Sequence, residues 1–171
     1  YSSATLDGIA TVCKTHDLWL ISDEVYDTQL WDGEHISPRA LPNMAERTLV
    51  VGSMSKSHAM TGSRVGWGCG PKDVIEHLTN LATHTTYGVP GYIQDAAHFA
   101  LGEGAYLEDE VSAPFARRRQ ITETLLATQN TVKGSPTQGA MYAMLDIRAT
   151  NLSGLDFANE LLDTHGIATM P

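Results

Sequence analysis

Two short, unbroken apolar runs that stop abruptly at polar residues constrain this chain more than any other feature. Leu18-Trp19-Leu20-Ile21 switches to Ser22-Asp23-Glu24, and Thr48-Leu49-Val50-Val51 runs into Gly52, Ser53, Ser55 and Lys56. A strand without polar alternation suits a parallel sheet covered on both faces. Residues 4–16 place Leu6, Ile9, Ala10 and Cys13 on one face of an amphipathic helix ahead of the first run. Residues 64–69 alternate and read as a third strand, bounded by Gly70-Pro71. In open α/β sheets, ligands collect outside the carboxyl ends of the strands. The polar residues that end these two runs are therefore the first candidates for function.

Helical spacing follows. Val74, Ile75, Leu78, Leu81 and Ala82 form one stripe; Ile93, Ala96, Ala97, Ala100 and Leu101 form a second. Residues 106–128 read as a long charged helix that Pro114 is predicted to kink or split. Residues 140–146 read as a strand. Ser153-Gly154-Leu155-Asp156 resembles a capping box that opens a helix ending near Gly166, and residues 167–170 read as a final strand. The expected division is a domain over 1–115, α/β in character, and an incomplete α+β domain over 116–171. The chain opens at Tyr1 and stops at Met170-Pro171, directly after an apolar stretch, which reads as a piece cut from a longer polypeptide.

Composition narrows the function classes. Eleven Lys+Arg against twenty Asp+Glu leave a net charge of −9, without the basic face that a nucleic-acid partner requires. No apolar run approaches the ~20 residues needed to span a bilayer, so no membrane partner is expected. Cys13 and Cys69 make neither a disulfide framework nor a CxxC, and the seven histidines lack HxxxH or HExxH spacing. No metal site is expected. Both cysteines read as buried small hydrophobes, in an acidic protein of a reducing, cytoplasmic compartment.

The strand ends bring Asp23, Tyr26, Ser53, Ser55, Lys56 and, past the Gly62 turn, Arg64 to one rim. A lysine amine can form a Schiff base with an aldehyde. A guanidinium flanked by hydroxyls is a fork for a phosphate dianion. An aspartate beside a heteroaromatic nitrogen holds that nitrogen protonated. Pyridoxal 5'-phosphate (PLP) makes all three demands at once. Each residue also has a plain reading: Lys56 as a surface lysine, Asp23 as a cap, Ser53 and Ser55 as partners of loop amides, Arg64 as a structural ion pair. His58 reads as a loop residue, Trp19, Trp67 and Met60 as packing, and Arg117-Arg118-Arg119 as a solvated helix face.

Ser22-Asp23-Glu24-Val25-Tyr26 and the stretch from Ser53-Met54-Ser55-Lys56 through Met60-Thr61-Gly62-Ser63-Arg64-Val65-Gly66 closely resemble the class I/II aminotransferases. The resemblance implies an α/β chain of PLP transferase fold type I, aspartate aminotransferase-like. The chain would hold the rear half of the large, mostly parallel-sheet domain and part of the small C-terminal one. It implies a transaminase acting on amino-acid and 2-oxo-acid substrates, usually as a homodimer. Lys56 resembles the Schiff-base lysine and proton carrier, Asp23 the partner of the pyridinium nitrogen, Tyr26 a donor to the ring oxygen, and Ser53, Ser55 and Arg64 phosphate ligands. Thr85, Thr86 and Tyr87 match a loop that approaches the partner subunit's site; pocket, dimer contact and plain turn stay open for it. The same cofactor residues would serve a β-carbon–sulfur lyase or an aminotransferase-like regulator domain. Upstream and downstream family motifs, including the arginine for the substrate carboxylate, are absent from these residues, so the segment taken alone is expected to bind PLP poorly.

Overall fold

The computed structural model describes residues 1–171, which divide into two compact units, Tyr1–Pro114 and Phe115–Pro171. The first unit begins with helix α1 (Ser3–Thr15), whose N-cap Ser2 accepts a hydrogen bond from the Thr5 amide. Its buried face, Leu6, Ala10 and Cys13, follows the helical spacing of the sequence, and Ala10 and Cys13 pack on Met44 with Ile9, Leu20 and Leu41 around them.

Strand β1 (Leu20–Asp23) pairs in parallel with β2 (Thr48–Ser53), Leu20 opposite Thr48 and Asp23 opposite Val51. Parallel pairing brings both carboxyl ends to the same rim, which is what positions the candidate site. Strand β3 (Gly66–Cys69) runs antiparallel to β2, with Gly66 opposite Ser53. The sheet order is β1-β2-β3, so this part of the sheet is mixed, one parallel pair and one antiparallel.

Two expectations about this sheet are corrected. The first strand starts at Leu20 rather than Leu18, because Leu18 bonds back to Cys13 and completes the turn out of α1. The sheet is also not covered on both faces. Trp19 is 56% and Ile21 70% exposed, β3 is exposed throughout, and Cys69 lies in solvent although Cys13 is buried. An apolar strand is buried only by layers that lie on it, and β1 is the edge of a three-stranded sheet.

Four helices complete this unit and lead out of it: the single turn α2 (Met54–Ser57), α3 (Lys72–Thr85), α4 (Gly91–Gly102) and the start of α5 (Ala105–Ala127). Met54, fully buried, anchors α2 against Ala97 and Ala100 of α4, with Met60, Val65 and Leu107 at the margin. Helix α5 runs unbroken through Pro114, so of the predicted kink or split the split does not occur. Proline removes one hydrogen bond, and the strong helix formers on both sides carry the helix across it. The boundary between the units falls at this residue. No helix is long and apolar enough to cross a membrane.

The second unit contains the end of α5, the two-residue strands β4 (Lys133–Gly134) and β5 (Leu145–Asp146) in antiparallel pairing, and α6 (Gly154–His165). Ser153 caps α6 by accepting from the Asp156 amide, and its hydroxyl donates to the Asp156 carboxylate at 2.6 Å. Gly166 closes the helix at φ +66°. The strand expected over 140–146 shrinks to Leu145 and Asp146, and residues 167–170 form no strand. A strand exists only where a neighbour takes its backbone groups. Two-residue β4 pairs with β5 alone, and no strand lies beside 167–170. Arg117 and Arg118 are exposed as expected; Arg118 lies 5.2 Å from the Phe115 ring and half-buried Arg119 donates to Glu123.

Candidate active site

Register, not proximity in sequence, assembles the rim. Asp23 is the last residue of β1, exposed, and its Oδ1 accepts from the Val25 amide at 3.2 Å, an Asx turn that points the chain away from the sheet. Half-buried Tyr26 sits in that turn, its carbonyl bonded by the Gln29 amide at 3.0 Å. Ser53 ends β2 and caps α2, its Oγ accepting from the Ser55 amide at 3.0 Å. The Ser53 hydroxyl donates to the Val65 carbonyl at 3.0 Å and lies 2.9 Å from Ser55 Oγ. Lys56 is half-buried within α2. Arg64 stands just ahead of β3 in the left-handed region, φ +54°, exposed, with Nη1 donating to the Thr61 carbonyl at 3.0 Å.

The six candidates therefore share one end of the sheet. Ser53 and Ser55 touch one another. No hydrogen bond or ion pair joins Asp23, Lys56 and Arg64 to each other, and the Lys56 amine is in neither kind of contact. One amine, one carboxylate and one guanidinium thus stand at a common rim with most of their bonding capacity unspent. The turn that carries them is braced from within. Thr61 Oγ1 donates to the Ser55 carbonyl at 2.9 Å, and the Met60 amide to the Met54 carbonyl at 3.3 Å. At Gly66 a side chain would meet the Gly52 carbonyl at 2.6 Å, so only glycine lets β3 approach β2 closely there.

Several neighbours of the motif are structural. The Glu24 carboxylate accepts from Ser37 at 2.7 Å and lies 2.9 Å from His35 Nε2, tying down the loop after β1. His58 lies in the turn after α2, as expected, but its side chain is 3% exposed, with Nδ1 2.8 Å from Ser57 Oγ and Nε2 4.0 Å from Glu108. Of the residues expected to pack, Met60 joins the Met54 core, whereas Trp19 and Trp67 are about half exposed. Trp67 covers Gly52, where a Cβ would lie 2.5 Å from its ring. Tyr87 is 89% exposed at φ +60° in the turn after α3. An open cavity of about 890 Å³ in the second unit, walled by Tyr142, Leu145, Phe157 and Met170, includes none of the rim residues. Sequence reasoning missed Gln29, which is 2% exposed and donates through Nε2 to the Lys56 carbonyl at 3.1 Å. A polar residue in a loop of polar residues carries no signal of burial.

The chain has relatives of the same architecture. It is 47% identical over 167 residues to the arginine–pyruvate transaminase AruH of Pseudomonas aeruginosa, covering 98% of this chain and 42% of that protein. It is 34% identical to the aspartate/prephenate aminotransferase of Thermus thermophilus, covering 100% of this chain and 44% of that one. Among solved structures, the aromatic aminotransferase of Pyrococcus horikoshii superposes over all of this chain and 46% of its own, with TM-score 0.91 and 30% identity. The Thermus thermophilus aspartate aminotransferase with maleate gives TM-score 0.88 at 30% identity, over 100% of this chain and 44% of its own. The fold is that of the fold type I aspartate aminotransferases, and this chain spans less than half the length of the relatives it matches. All of residues 1–171 match the family described as aminotransferase class I and II, and the chain belongs to that family.

Proposed function

We propose that this chain is the lysine-bearing part of a PLP-dependent aminotransferase that moves an amino group from an amino acid to a 2-oxo acid. The observation that carries this reading is the unengaged Lys56 amine at the same sheet rim as Asp23 and Arg64, in a chain of the aminotransferase family. The donor set fits the group. Lys56 would hold it covalently, Asp23 would pair with its ring nitrogen, and Tyr26 would donate to its ring oxygen. Arg64, Ser53 and Ser55 would hold its phosphate, Ser53 once its hydroxyl proton turns from the Val65 carbonyl. When bound, PLP supplies an aldehyde for covalent capture of amines and an electron-withdrawing ring.

The protein's own work is then to bind, orient and move a proton. Lys56 would take the proton from the substrate α-carbon and return it two atoms away, at the carbon that had been the cofactor's aldehyde, as general base and then acid. Asp23 would keep a positive charge on the cofactor's ring. The higher identity to an arginine–pyruvate transaminase than to aspartate enzymes supports a basic amino-acid donor with pyruvate as acceptor. The exposed Tyr87 turn supports a homodimer in which it meets the second subunit.

Borohydride reduction of the complete PLP-loaded polypeptide, followed by peptide mapping, tests the reading. A pyridoxyl label on Lys56 is expected; a label elsewhere, or none, overturns it. Amino transfer from arginine to pyruvate, compared with transfer from aspartate, tests the donor class. Pyruvate and ammonia released from cystathionine without any acceptor would instead mark a β-carbon–sulfur lyase.

A further inference from the structure

We propose that Gln29 is a positioning residue for Lys56, a proposal that rests on the PLP reading of the rim. Helix α2 ends after one turn because Ala59 turns left-handed at φ +53°. The Met60 amide, which in a continuing helix would reach the Lys56 carbonyl, bonds to Met54 instead. The backbone oxygen of the reactive lysine is thereby released, and Gln29 Nε2 takes it at 3.1 Å from 27 residues earlier in the chain. The backbone amide of the same glutamine holds the Tyr26 carbonyl at 3.0 Å. One residue therefore ties the Asp23–Tyr26 turn to the lysine turn.

Packing alone does not account for this residue. Gln29 is 2% exposed, and its Oε1 is buried without a hydrogen-bond partner. An apolar side chain of similar length would fill the space without burying an unpartnered Oε1, but would leave the Lys56 carbonyl without its donor. The bond to Lys56 is what distinguishes glutamine from such a residue. Holding the lysine backbone fixes where the amine starts from when it reaches for an aldehyde, and placement errors of about 1 Å slow such steps by up to 10²-fold.

The test uses the complete polypeptide containing these residues, with PLP as the probe and Gln29→Met as the variant, which keeps length and removes the donor. The expected result is a folded variant whose covalent capture of PLP, read from its absorbance band and from borohydride-trapped Lys56, is slower by on the order of tenfold or more. The pH midpoint of that band is expected to move as well. A purely structural role would lower the melting temperature and leave capture rate and pH midpoint unchanged, and that outcome overturns the proposal. A second measurement is independent of the variant's folding. In the unsubstituted protein the Gln29 side-chain amide protons should exchange slowly with solvent and shift when PLP is fixed on Lys56 by borohydride; fast exchange, or no shift, overturns it too. Absence of any label on unsubstituted Lys56 defeats the PLP reading itself, whereas a normal label with an unaltered Gln29→Met variant defeats this inference alone.

Discussion

A lysine in the helical turn after a strand becomes chemically distinctive through what it does not touch. Lys56 has no counter-ion, and Asp23 on the neighbouring strand spends only one oxygen, on the Val25 amide. Lys56→Ala in the complete polypeptide should remove the absorbance of lysine-bound PLP and nearly all amino transfer; retention of both would end the assignment. Asp23→Ala should still hold some cofactor but lose a charge-assisted contact of ~1.5–3 kcal/mol. Its amino-transfer rate should then fall at least ~tenfold in steady-state kinetics. A different carboxylate offers a pH test. Asp146 is held at about 2, below the usual 3.8, by the side-chain and backbone hydrogen bonds it accepts from Arg148, with the guanidinium charge adding to them. A depressed carboxylate lends its stabilisation above the unfolded value and loses it as pH falls through the folded one. The pair's contribution should therefore be close to full at pH 4 and shrink as pH falls from 3.8 toward 2, where the pair itself dissolves. Carbon-detected NMR titration should find the Asp146 midpoint near 2, and Arg148→Ala should return it toward 3.8. The pair is solvent-exposed and screened, so its effect on melting should be small.

At the scale of elements, the parallel pair β1 and β2 and the turns that follow them carry the site, and the glycines at β2 and β3 tolerate added side chains unequally. A Cβ at Gly66 meets the Gly52 carbonyl at 2.6 Å, whereas one at Gly52 meets the half-exposed Trp67 ring at 2.5 Å. Backbone cannot swing aside and an exposed indole can. Gly66→Ala should cost about 1–3 kcal/mol of stability, the range of overpacking, and Gly52→Ala less. Thermal denaturation of the two variants tests the ranking, and equal melting temperatures would refute it. Local rules of this kind are also what made parts of the fold legible from residues alone. The polar stop at Ser22-Asp23, the cap at Ser153 and the glycine at 166 each act through their own neighbours, and the structure keeps them. Pro114 does not split its helix, because a proline removes one backbone hydrogen bond of the ladder and the other bonds of α5 remain. Gln29 was illegible for the converse reason: its role depends on a residue 27 positions away, and no local pattern records that.

For the whole molecule, burial is the property that the sequence could not deliver. Trp19 and Ile21 have the apolar character of covered strand residues, yet both stand in solvent at the sheet edge, and Leu155, Ile167 and Met170 are exposed in the second unit. Periodicity reports which side chains prefer a core; it does not report whether the layer that completes the core belongs to the same stretch of chain. The relatives are more than twice as long as the segment they share with this one, and family membership therefore speaks for a larger assembly than these residues build. That argument has a direct test. The 171-residue chain expressed alone should bind a dye specific for exposed apolar surface, elute above its 18.5 kDa mass on gel filtration, and hold PLP weakly. The complete polypeptide should lose the dye signal and retain PLP through gel filtration. A dye-silent monomer of 18.5 kDa would show instead that these apolar faces are finished surface.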